Sequence, residues 1–352
     1  MNTCTGLVVA MITAVAGSLC CPGASAAEMA EIDKVTATIE LVGEPVVIAD
    51  EAKYCAWTDL IRLSNNGKLM VVYTAGSGHL APDLAIKKRV SSDDGKTWSP
   101  PDTVVPAVNK GSGVRDPHII QLADGTLLLN FFSYPGGRES IRPHLIRSTD
   151  NGETWSNPIT INPRVPCVWM ATCGKILALK NGELFLPLYG QLKDDMGTVG
   201  FVHSRDKGKT WSRLVTIQSG NEEGEMEMAE LANGNIVAFI RPAHVAFSQN
   251  KGRNWSKPEN TIRLHAPGLL VDGPHLLMNY RSKGYGSATL GLSLDGGKTW
   301  PVTKDLSGGG PDAAYGAIVK TQPETAEPYF TAFYAPYKGS VKIVGRYFKV
   351  SK

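Results

Sequence analysis

The stretch SLDGGKTW, from Ser293 to Trp300, is one of five copies of an eight-residue box that starts with serine and ends with tryptophan. Successive copies begin 57, 56, 44 and 45 residues apart: SSDDGKTW (91–98), STDNGETW (148–155), SRDKGKTW (204–211), SQNKGRNW (248–255) and SLDGGKTW (293–300). Serine and aspartate side chains bond to nearby amides in tight turns, and glycine adopts positive φ without strain. Because five copies cannot all be one catalytic site, we interpret Asp295 and its equivalents as scaffold.

A second repeated phrase alternates with the box and consists of a strand end, a turn ending in glycine, and a strongly β-forming run. Its copies are LSNNGKLMVVY from Leu63, LADGTLLLNFF from Leu122, LKNGELFLPLY from Leu179, LANGNIVAFIR from Leu231, LVDGPHLLMNYR from Leu270 and a degraded copy from Val319. A period of about 40–60 residues with four strands per unit is typical of a β-propeller. Six inner hairpins therefore predict a single all-β domain, a six-bladed β-propeller over residues 27–352.

Two further expectations follow from the blade pattern. The box should be the turn between the third and fourth strands of each blade, with its tryptophan filling a gap between strands or blades. The strand-like stretch from Lys34 to Ile48 precedes the first hairpin. We expect it to complete the last blade and close the ring, which leaves no sheet edge exposed.

The start of the chain predicts export. An apolar run, GLVVAMITAVAGSL, is followed by the small residues Ala24–Ala26, so residues 1–26 are interpreted as a Sec signal peptide cleaved near Ala26. The run is short for a membrane span, which needs about 20 residues. We therefore expect a secreted or periplasmic protein with no membrane span, and a monomer.

Composition excludes some partners and ligands. Of the 352 residues 42% are hydrophobic, 20% are charged, and the net charge is only +3. No basic stripe is present, so a nucleic-acid partner is not expected. Cys55, Cys167 and Cys173 follow the leader, and an extended strand would place the last two sulfurs roughly 20 Å apart, which favours buried thiols over a disulfide. No Cys/His set has zinc-ligand spacing, so no metal and no cofactor is predicted.

Propellers bind ligands where the inner strands converge on the axis. Five side chains occupy equivalent positions at the ends of the inner hairpins: Thr74, Phe132, Tyr189, Arg241 and Arg281. Two arginines on adjacent blades should converge and bind a carboxylate or sulfate through bidentate hydrogen bonds. The alternative for each arginine is a surface salt bridge at a strand end.

The boxes, hairpins and leader together resemble the sialidase (neuraminidase) superfamily over nearly the whole mature chain. GEMEMAELANGNIVAFIR resembles the segment that carries a catalytic glutamate and a substrate-binding arginine, which fall on Glu225 and Arg241. DAAYGAIV resembles the segment that carries a tyrosine nucleophile, which falls on Tyr315. The resemblance implies a retaining exo-glycosidase that acts on an acidic glycan.

A tyrosine nucleophile suits this reaction because a carboxylate nucleophile would be repelled by the carboxylate of the sugar. A phenol with a pKa near ~10 needs a base, which Glu225 would be.

Several segments depart from the family pattern. The first arginine of the carboxylate-binding triad falls on Ala56 in YCAWTDLIRL, and the third arginine of the family usually stands further along than Arg281. The family's glutamate after the last inner strand is missing, since TAFY continues into Ala335. The acid/base aspartate is expected in AGSGHLAPDLAIKK, where Asp83 is the only carboxylate and His79 fits the register about as well.

The segment SGVRDPHIIQL adds three candidates for substrate binding, Arg115, Asp116 and His118, at the mouth of an inner strand. In this position VRDP could supply a substitute for the missing arginine. The alternative is an Asp-Pro turn that Arg115 holds in place.

Two other functions fit the same residues. A propeller polysaccharide lyase would use tyrosine and histidine as base and acid, with arginines neutralising a uronate carboxylate. A carbohydrate- or protein-binding propeller would have no catalysis, since a fold does not establish an activity. In an enzyme of the sialidase type, Tyr315 and Glu225 should approach hydrogen-bond distance beside clustered arginines.

Overall fold

The computed structural model describes residues 37–351, except 109, 195–196, 221–223, 283–285, 308–312, 322–328 and 338. The predicted signal peptide and the beginning of the predicted strand at Lys34 lie outside the described residues, as does part of the degraded sixth hairpin phrase. Within the described residues, all regular structure is β-strand apart from a short 3-10 turn at Arg138–Ser140.

The first half of the described chain begins with a long strand, β1 (Thr38–Ala49), and continues with two antiparallel sets of four strands. The first set is β2 (Tyr54–Arg62), β3 (Leu69–Gly76), β4 (Ala85–Ser91) and β5 (Asp102–Val105). The second set is β6 (Val114–Gln121), β7 (Leu127–Ser133), β8 (Arg142–Ser148) and β9 (Ile159–Thr160).

Three further sets follow, each a separate antiparallel sheet. The third set is β10 (Cys167–Ala171), β11 (Leu177–Ala178), β12 (Leu184–Leu192), β13 (Thr198–Ser204) and β14 (Val215–Ser219), in which β10 and β11 both pair with β12. The fourth set is β15 (Met226–Glu230), β16 (Ile236–Ile240), β17 (His244–Ser248) and β18 (Glu259–Asn260). The fifth set is β19 (His265–Asp272), β20 (His275–Arg281), β21 (Ala288–Ser293) and β22 (Val302–Asp305).

The last set contains both ends of the described chain. Its strands are β23 (Ala314–Lys320), β24 (Tyr329–Tyr337) and β25 (Ser340–Ser351). Strand β1 pairs antiparallel with β25, as expected for the N-terminal strand. One parallel pair, Tyr54 with Val341, joins the last set to the first set in a single eight-stranded sheet. The chain therefore has the predicted all-β, propeller-like fold, with four separate sheets of four or five strands.

The box forms the turn between the third and fourth strands, as expected. In the first set, the Ser91 Oγ accepts a hydrogen bond from the Gly95 amide at 2.8 Å, and Asp93 Oδ1 accepts one from the Thr97 amide at 2.9 Å. The Thr97 hydroxyl and amide lower the pKa of Asp93 to about 2. Gly95 has a φ of 93°, where a side chain would be strained. The aspartate oxygens are thus occupied within the turn, which agrees with a scaffold role.

The box tryptophans connect neighbouring sets. Trp255 meets Phe201 of the third set with ring centroids 5.9 Å apart, and Trp300 meets Phe239 of the fourth set at 5.4 Å. Trp98 in the first set lies 6.2 Å from Phe330 in the last set. Each of these tryptophans therefore packs against the set that precedes its own.

The core consists of apolar layers between consecutive sets. Ile61, Met70 and Val72 of the first set pack against Leu127 and Phe131 of the second. Equivalent layers lie between the other neighbours, and the last set packs against the first through Phe330 and Tyr334. Because burying one such side chain stabilises the fold by about 1.5–3 kcal/mol, these layers hold the sets together.

Two further findings concern the cysteines and the predicted lack of a membrane span. Cys55, Cys167 and Cys173 are all free thiols, of which Cys55 and Cys173 are buried and Cys167 is partly buried. Among the residues that the structure describes, there is no helix of the length and apolar character that a membrane span requires.

Truncating a box tryptophan should destabilise the fold. Trp300 is only 9% exposed and its ring contacts Phe239 across a set boundary. We expect Trp300→Ala to lower the free energy of unfolding by about 3–5 kcal/mol, as large-to-small core changes do. Urea denaturation followed by circular dichroism measures this. Lys298→Ala, in the same box with an exposed side chain, is the matched control and should leave stability almost unchanged. A Trp300→Ala protein as stable as wild type would contradict the scaffold role.

Candidate active site

Four inner strands share one local irregularity, a bulge near the strand start. At each bulge a residue other than glycine has positive φ: Trp57 (47°), Asp116 (52°), Ala266 (43°) and Tyr315 (49°). The pairing register shifts at the same places, between Ala56/Asp59, Arg115/His118, His265/Gly268 and Ala314/Ala317. Bulges re-aim side chains and are frequent beside active sites, and positive φ at such residues stores strain. The four bulges therefore mark a candidate site where the inner strands meet.

Glycines allow two of these inner strands to approach closely. A Cβ on Gly268 of β19 would lie 1.8 Å from the Gly316 carbonyl oxygen of β23, and a Cβ on Gly316 would lie 2.2 Å from the Asn279 side-chain nitrogen. Only glycine fits such contacts. This approach brings the bulge of β23, which carries Tyr315, next to the bulge of β19.

Tyr315 and Glu225 form the central contact of the site. The Tyr315 hydroxyl donates to Glu225 Oε1 at 2.6 Å, and Arg241 Nη1 donates to the same oxygen at 3.0 Å. The Ala266 amide, at the bulge of β19, donates to Glu225 Oε2 at 3.0 Å. Glu225 is only 5% exposed and accepts from a donor on each oxygen. The Glu225 carboxylate therefore joins its own hairpin to the segments around Ala266 and Tyr315.

The environment of Tyr315 keeps its phenol protonated. Burial is the main reason that its pKa lies well above the ordinary value, and the charges of Glu225 and Asp116 raise it further. A phenol in this state becomes a nucleophile only if a base takes its proton as the new bond forms. Glu225, at hydrogen-bond distance, is placed to be that base.

Arg281 flanks the same tyrosine from the fifth set. Its guanidinium carbon lies 6.0 Å from the centroid of the Tyr315 ring, and its Nη2 donates to the Tyr334 hydroxyl at 2.7 Å. The rings of Tyr315 and Tyr334 stack at 5.7 Å. Arg241 thus contacts Glu225, and Arg281 lies near the Tyr315 ring, so both arginines border the Tyr315–Glu225 pair.

Arg115 is a third arginine, held by aromatic rings. Its guanidinium carbon lies 5.4 Å from the Trp57 ring centroid and 5.3 Å from those of Phe132 and Tyr134. The residue is 8% exposed, and among the described residues no ion pair within 4 Å involves it. Burying a cation without a bonded anion is costly. Its surroundings therefore suit an anionic ligand.

The structure shows what stands at the position of the missing arginine. Ala56 is fully buried on β2, and the next residue, Trp57, occupies the bulge. The Trp57 ring lies 6.5 Å from the Tyr315 ring and also contacts Arg115. The Arg115 guanidinium of the second set therefore lies against Trp57, the residue that follows Ala56.

The neighbours of Arg115 in VRDP differ in their surroundings. Asp116 is 5% exposed, and its Oδ1 has no hydrogen-bond partner in the described part of the chain. His118 lies past the bulge, with Nδ1 3.8 Å from Asp59 Oδ2, and burial lowers its pKa to about 4. His118 therefore lies beside Asp59, while Asp116 stands at the bulge itself.

Asp83 and His79 occupy the loop after β3. Asp83 Oδ1 accepts from the Ser77 hydroxyl at 2.9 Å, and the Ser77 amide also donates to this carboxylate, which lowers the Asp83 pKa. Asp83 is exposed, and no described contact joins it to Tyr315. His79 Nδ1 lies 2.6 Å from the Tyr54 hydroxyl, and its ring is 4.9 Å from that of Trp57. The structure thus places His79, rather than Asp83, against a bulge residue.

A charged cluster beside the site was not anticipated from the sequence. Lys175 Nζ lies 3.0 Å from Asp59 Oδ1, and the Lys175 amide donates to Glu227 Oε2 at 2.6 Å. Burial raises the pKa of Glu227 well above its ordinary value. These residues line the axial cavity together with His118 and Tyr315. The sequence offered one signal, the spacing of two between Glu225, just before β15, and Glu227 on it, because residues two apart in an extended chain point to the same side.

No metal centre is evident in the part of the chain that the structure describes, where no three His, Cys, Asp or Glu side chains are grouped to hold an ion. The polar groups of the site are instead a phenol, carboxylates and guanidinium groups. These can bind an anion and transfer protons.

Known proteins resemble this chain in both sequence and fold. Residues 67–325 match the family model described as a BNR repeat-like domain. A sialidase of Bacteroides fragilis is 24% identical over 292 residues, which cover 69% of this chain and 53% of the relative. The chain thus spans about half the length of the curated relatives it matches.

Solved structures show the same fold. A protein of unknown function from Dyadobacter fermentans superposes with a TM-score of 0.77 at 20% identity, covering 89% of this chain and 99% of that one. A Trypanosoma rangeli sialidase in complex with 2,3-difluorosialic acid, described as a covalent intermediate, has a TM-score of 0.66 at 14% identity, covering 89% and 59%. The chain belongs to the BNR repeat-like domain family, as a BNR-repeat protein of the sialidase superfamily.

Proposed function

We propose that this chain is a sialidase-like exo-glycosidase that removes a terminal acidic sugar, sialic acid or a similar one, with retention of anomeric configuration. The observation that carries the proposal is the 2.6 Å hydrogen bond from Tyr315 to Glu225, flanked by Arg241 and Arg281. The Trypanosoma rangeli sialidase of similar fold is described with a covalent intermediate, which is consistent with nucleophilic catalysis on this scaffold.

The reaction proceeds in two displacements. The Tyr315 oxygen attacks the anomeric carbon while its proton passes to Glu225, and the leaving oxygen departs and takes a proton from solvent. Water then attacks the same carbon and releases one proton to solvent, and the phenol leaves and recovers its proton from Glu225. Two inversions at one carbon restore the original configuration.

The arginines bind the carboxylate of the sugar. Arg281 lies near the Tyr315 ring and Arg241 bonds to Glu225. Arg115 lies against Trp57, whose ring contacts that of Tyr315. Charge-assisted hydrogen bonds from guanidinium groups fix both the position and the orientation of a carboxylate. In this arrangement Arg115 takes the place of the arginine that Ala56 replaces.

The architecture and location of the protein belong to the same proposal. Among the residues that the structure describes, one parallel pair joins the first and last sets in the eight-stranded sheet, which supports counting this sheet as two blades and the whole as a six-bladed propeller. The leader pattern of residues 1–26 supports export to the periplasm or the medium, where polymeric glycans are accessible. We also expect a monomer.

Removing the phenolic oxygen should abolish turnover. Tyr315→Phe deletes the bond-forming atom and little volume, so we expect activity to fall below detection while folding and substrate binding persist. Tyr347→Phe, whose hydroxyl bonds to the Asp94 carbonyl on another part of the fold, is the matched control and should keep wild-type kcat. A panel of sialosides and uronate-containing glycans, with product configuration followed by NMR, measures this.

The panel also separates the other functions. An unsaturated product that absorbs in the near ultraviolet would identify a lyase. Binding without turnover of any acidic glycan by the wild type would favour the carbohydrate-binding module. Full activity in Tyr315→Phe would refute the assignment of the nucleophile.

Glu225→Gln should affect kcat far more than KM. The amide keeps the size of the side chain but cannot take the phenol proton, a role that appears only as the bond forms. We expect kcat to fall by about 100-fold or more, with KM changed much less. Glu230→Gln, near the opposite end of β15, is the control. An equal rise in KM with unchanged kcat would assign Glu225 to binding alone.

Arg281→Lys should weaken the binding of anions specifically. A lysine keeps the charge but loses the planar guanidinium, and one charge-assisted hydrogen bond is worth about 1.5–3 kcal/mol. We expect N-acetylneuraminic acid to bind about 10- to 100-fold more weakly by calorimetry. Arg205→Lys, an exposed arginine paired with Glu183, is the control. If the methyl ester of the sugar loses as much affinity as the acid, Arg281 does not bind the carboxylate.

A further inference from the structure

The boundary between the third and fourth strand sets contains a cleft that the proposed reaction does not use. Its volume is about 220 Å³, and it is lined by the hairpin turn 181–183 of the third set and by the box residues 251–253 of the fourth. The inner strands start at the candidate active site and end at the hairpin turns, so the cleft lies at the other end of the strands from Tyr315. A ligand in the cleft would therefore bind away from the Tyr315–Glu225 pair.

The residue before the box serine differs between this boundary and the preceding one. In the second set this residue is Arg147, whose Nη2 donates to the carbonyl oxygens of Lys207 and Gly208 in the third box at 3.3 and 3.0 Å. In the third set it is His203, whose Nδ1 lies 2.9 Å from Glu183 Oε1. The His203 side chain thus pairs within its own set, and a cleft remains beside the fourth box.

The cleft lacks two carboxylates that the preceding boundary has. Lys207 Nζ of the third box is paired with Asp124 Oδ2 of the second set at 2.6 Å. In the fourth box the equivalent lysine is Lys251, and the hairpin turn that faces it offers Asn181 in place of the aspartate. Within the described chain Lys251 has no ion pair within 4 Å. Asn250 likewise stands where the other four boxes have aspartate.

The two amides keep the structural role of the acids that they replace. Asn181 Oδ1 accepts a hydrogen bond from the Glu183 amide at 3.0 Å, in the way that Asp124 Oδ1 closes the turn of the second set. Asn250 Oδ1 accepts from the Asn254 amide at 2.8 Å, as the aspartate does in the other boxes. The replacements therefore remove negative charge while the turns stay intact.

The charged groups that line the cleft leave it positive. Arg205, Lys251 and Arg253 carry three positive charges, against the one negative charge of Glu183. Arg205 contacts Glu183 through Nε at 3.1 Å, which leaves its two Nη groups for a ligand. Guanidinium and ammonium groups bind carboxylates through charge-assisted hydrogen bonds. The cleft therefore suits a ligand that carries a carboxylate.

This charge is not a general property of the boundaries between sets. The cleft between the fourth and fifth sets is lined by two carboxylates and one ammonium group, those of Glu259, Asp295 and Lys298. Its box retains the aspartate that the fourth box has lost. The positive charge thus belongs to the boundary of the third and fourth sets in particular.

The cleft also has an aromatic wall. The rings of Phe185 and Phe201 line it and stack with centroids 4.4 Å apart, and the His203 ring meets that of Phe185 edge to face at 6.3 Å. Apolar surface beside a few charged groups is the usual composition of a small-molecule site. An inorganic anion would use the charges alone, whereas a sugar acid would use the wall as well.

We propose that this cleft is a second glycan site, which binds a carboxylate-bearing sugar without cleaving it. The carboxylate pairs with Lys251 and Arg253, and the sugar ring packs against Phe185 and Phe201. The choice of an acidic sugar as ligand rests on the proposed function, whereas the charge and the aromatic wall are independent of it. A surface rich in acidic glycans is then held at two places on the protein, which raises the avidity.

Trp255 provides a local reporter of binding. Its indole Nε1 donates to the Gly252 carbonyl at 3.2 Å, and Gly252 lines the cleft. In the ¹⁵N-labelled full chain we expect N-acetylneuraminic acid and glucuronic acid to shift the Trp255 indole signal. The uncharged methyl ester of each acid should bind about 10-fold more weakly or worse, because it loses the charge-assisted hydrogen bonds. Added salt should weaken the binding of the acids, since it screens exposed charges.

Two variants test the charge of the cleft. Arg253→Gln removes a cation, and Asn181→Asp restores the carboxylate found at the preceding boundary while it keeps the Oδ1 acceptor of the turn. We expect each variant to weaken the binding of both acids, followed at the Trp255 signal, about 10-fold or more. Lys298→Gln, in the fifth box, is the matched control and should bind as the wild type does. Circular dichroism shows that each variant is folded.

Three results would overturn the proposal: no shift of the Trp255 signal by either acid, equal affinity for the acids and their esters, or unchanged affinity in both Arg253→Gln and Asn181→Asp. Sodium sulfate that binds as tightly as the sugar acids would also overturn it, because the cleft would then recognise charge without a sugar. Turnover of the glycan panel is measured separately. Binding at Trp255 without turnover would support the second site and refute the proposed function, and turnover without this binding would do the opposite.

Discussion

Each strand set of this protein depends on its neighbours to cover its two apolar faces. The hairpin phrases are apolar nearly throughout, and the strands they form are buried on both sides, as in β3, where seven of eight residues are buried. A four-stranded sheet of this kind is not stable alone in water, because its exposed faces would be apolar. Packing set against set solves this problem, with the box tryptophans filling the boundaries. Since the sets are tied together by side chains, the inner strand starts are free to carry the functional groups.

The bulges at these strand starts convert the scaffold into a site. A regular strand alternates its side chains between the two faces of a sheet. At Trp57, Asp116, Ala266 and Tyr315 that alternation is interrupted. At two of these bulges, a group of the bulge residue contacts Glu225 directly, the Tyr315 hydroxyl and the Ala266 amide. Glu225 shows the result, since it is contacted by a phenol, a guanidinium and a backbone amide from different strands. No single segment of the chain contains the site.

The parts that could be predicted from the sequence are those with local patterns. The boxes specify their turns through hydrogen bonds between residues two to four positions apart, and the family resemblance led to Tyr315, Glu225 and Arg241. Other parts depend on which residues meet across the axis. The contact of Trp57 with Arg115, the bond of Arg281 to Tyr334 and the cluster of Lys175 with Asp59 join separate sets, and no local pattern records them. The bulges are also invisible in one sequence, because positive φ at tryptophan or tyrosine is contrary to their local preference.

The aromatic enclosure of Arg115 has a thermodynamic consequence. Its guanidinium is desolvated by three rings and has no ion pair within 4 Å in the described chain, so the ligand-free protein bears a desolvation cost. The same enclosure restricts the rotamers of the side chain before any ligand arrives, so little conformational entropy remains to be lost on binding. The enclosure of Arg115 therefore lowers the stability of the ligand-free protein while it favours the binding of an anion. An anion that pairs with Arg115 offsets the cost and raises the melting temperature, so that thermal stability itself reports occupancy of the site.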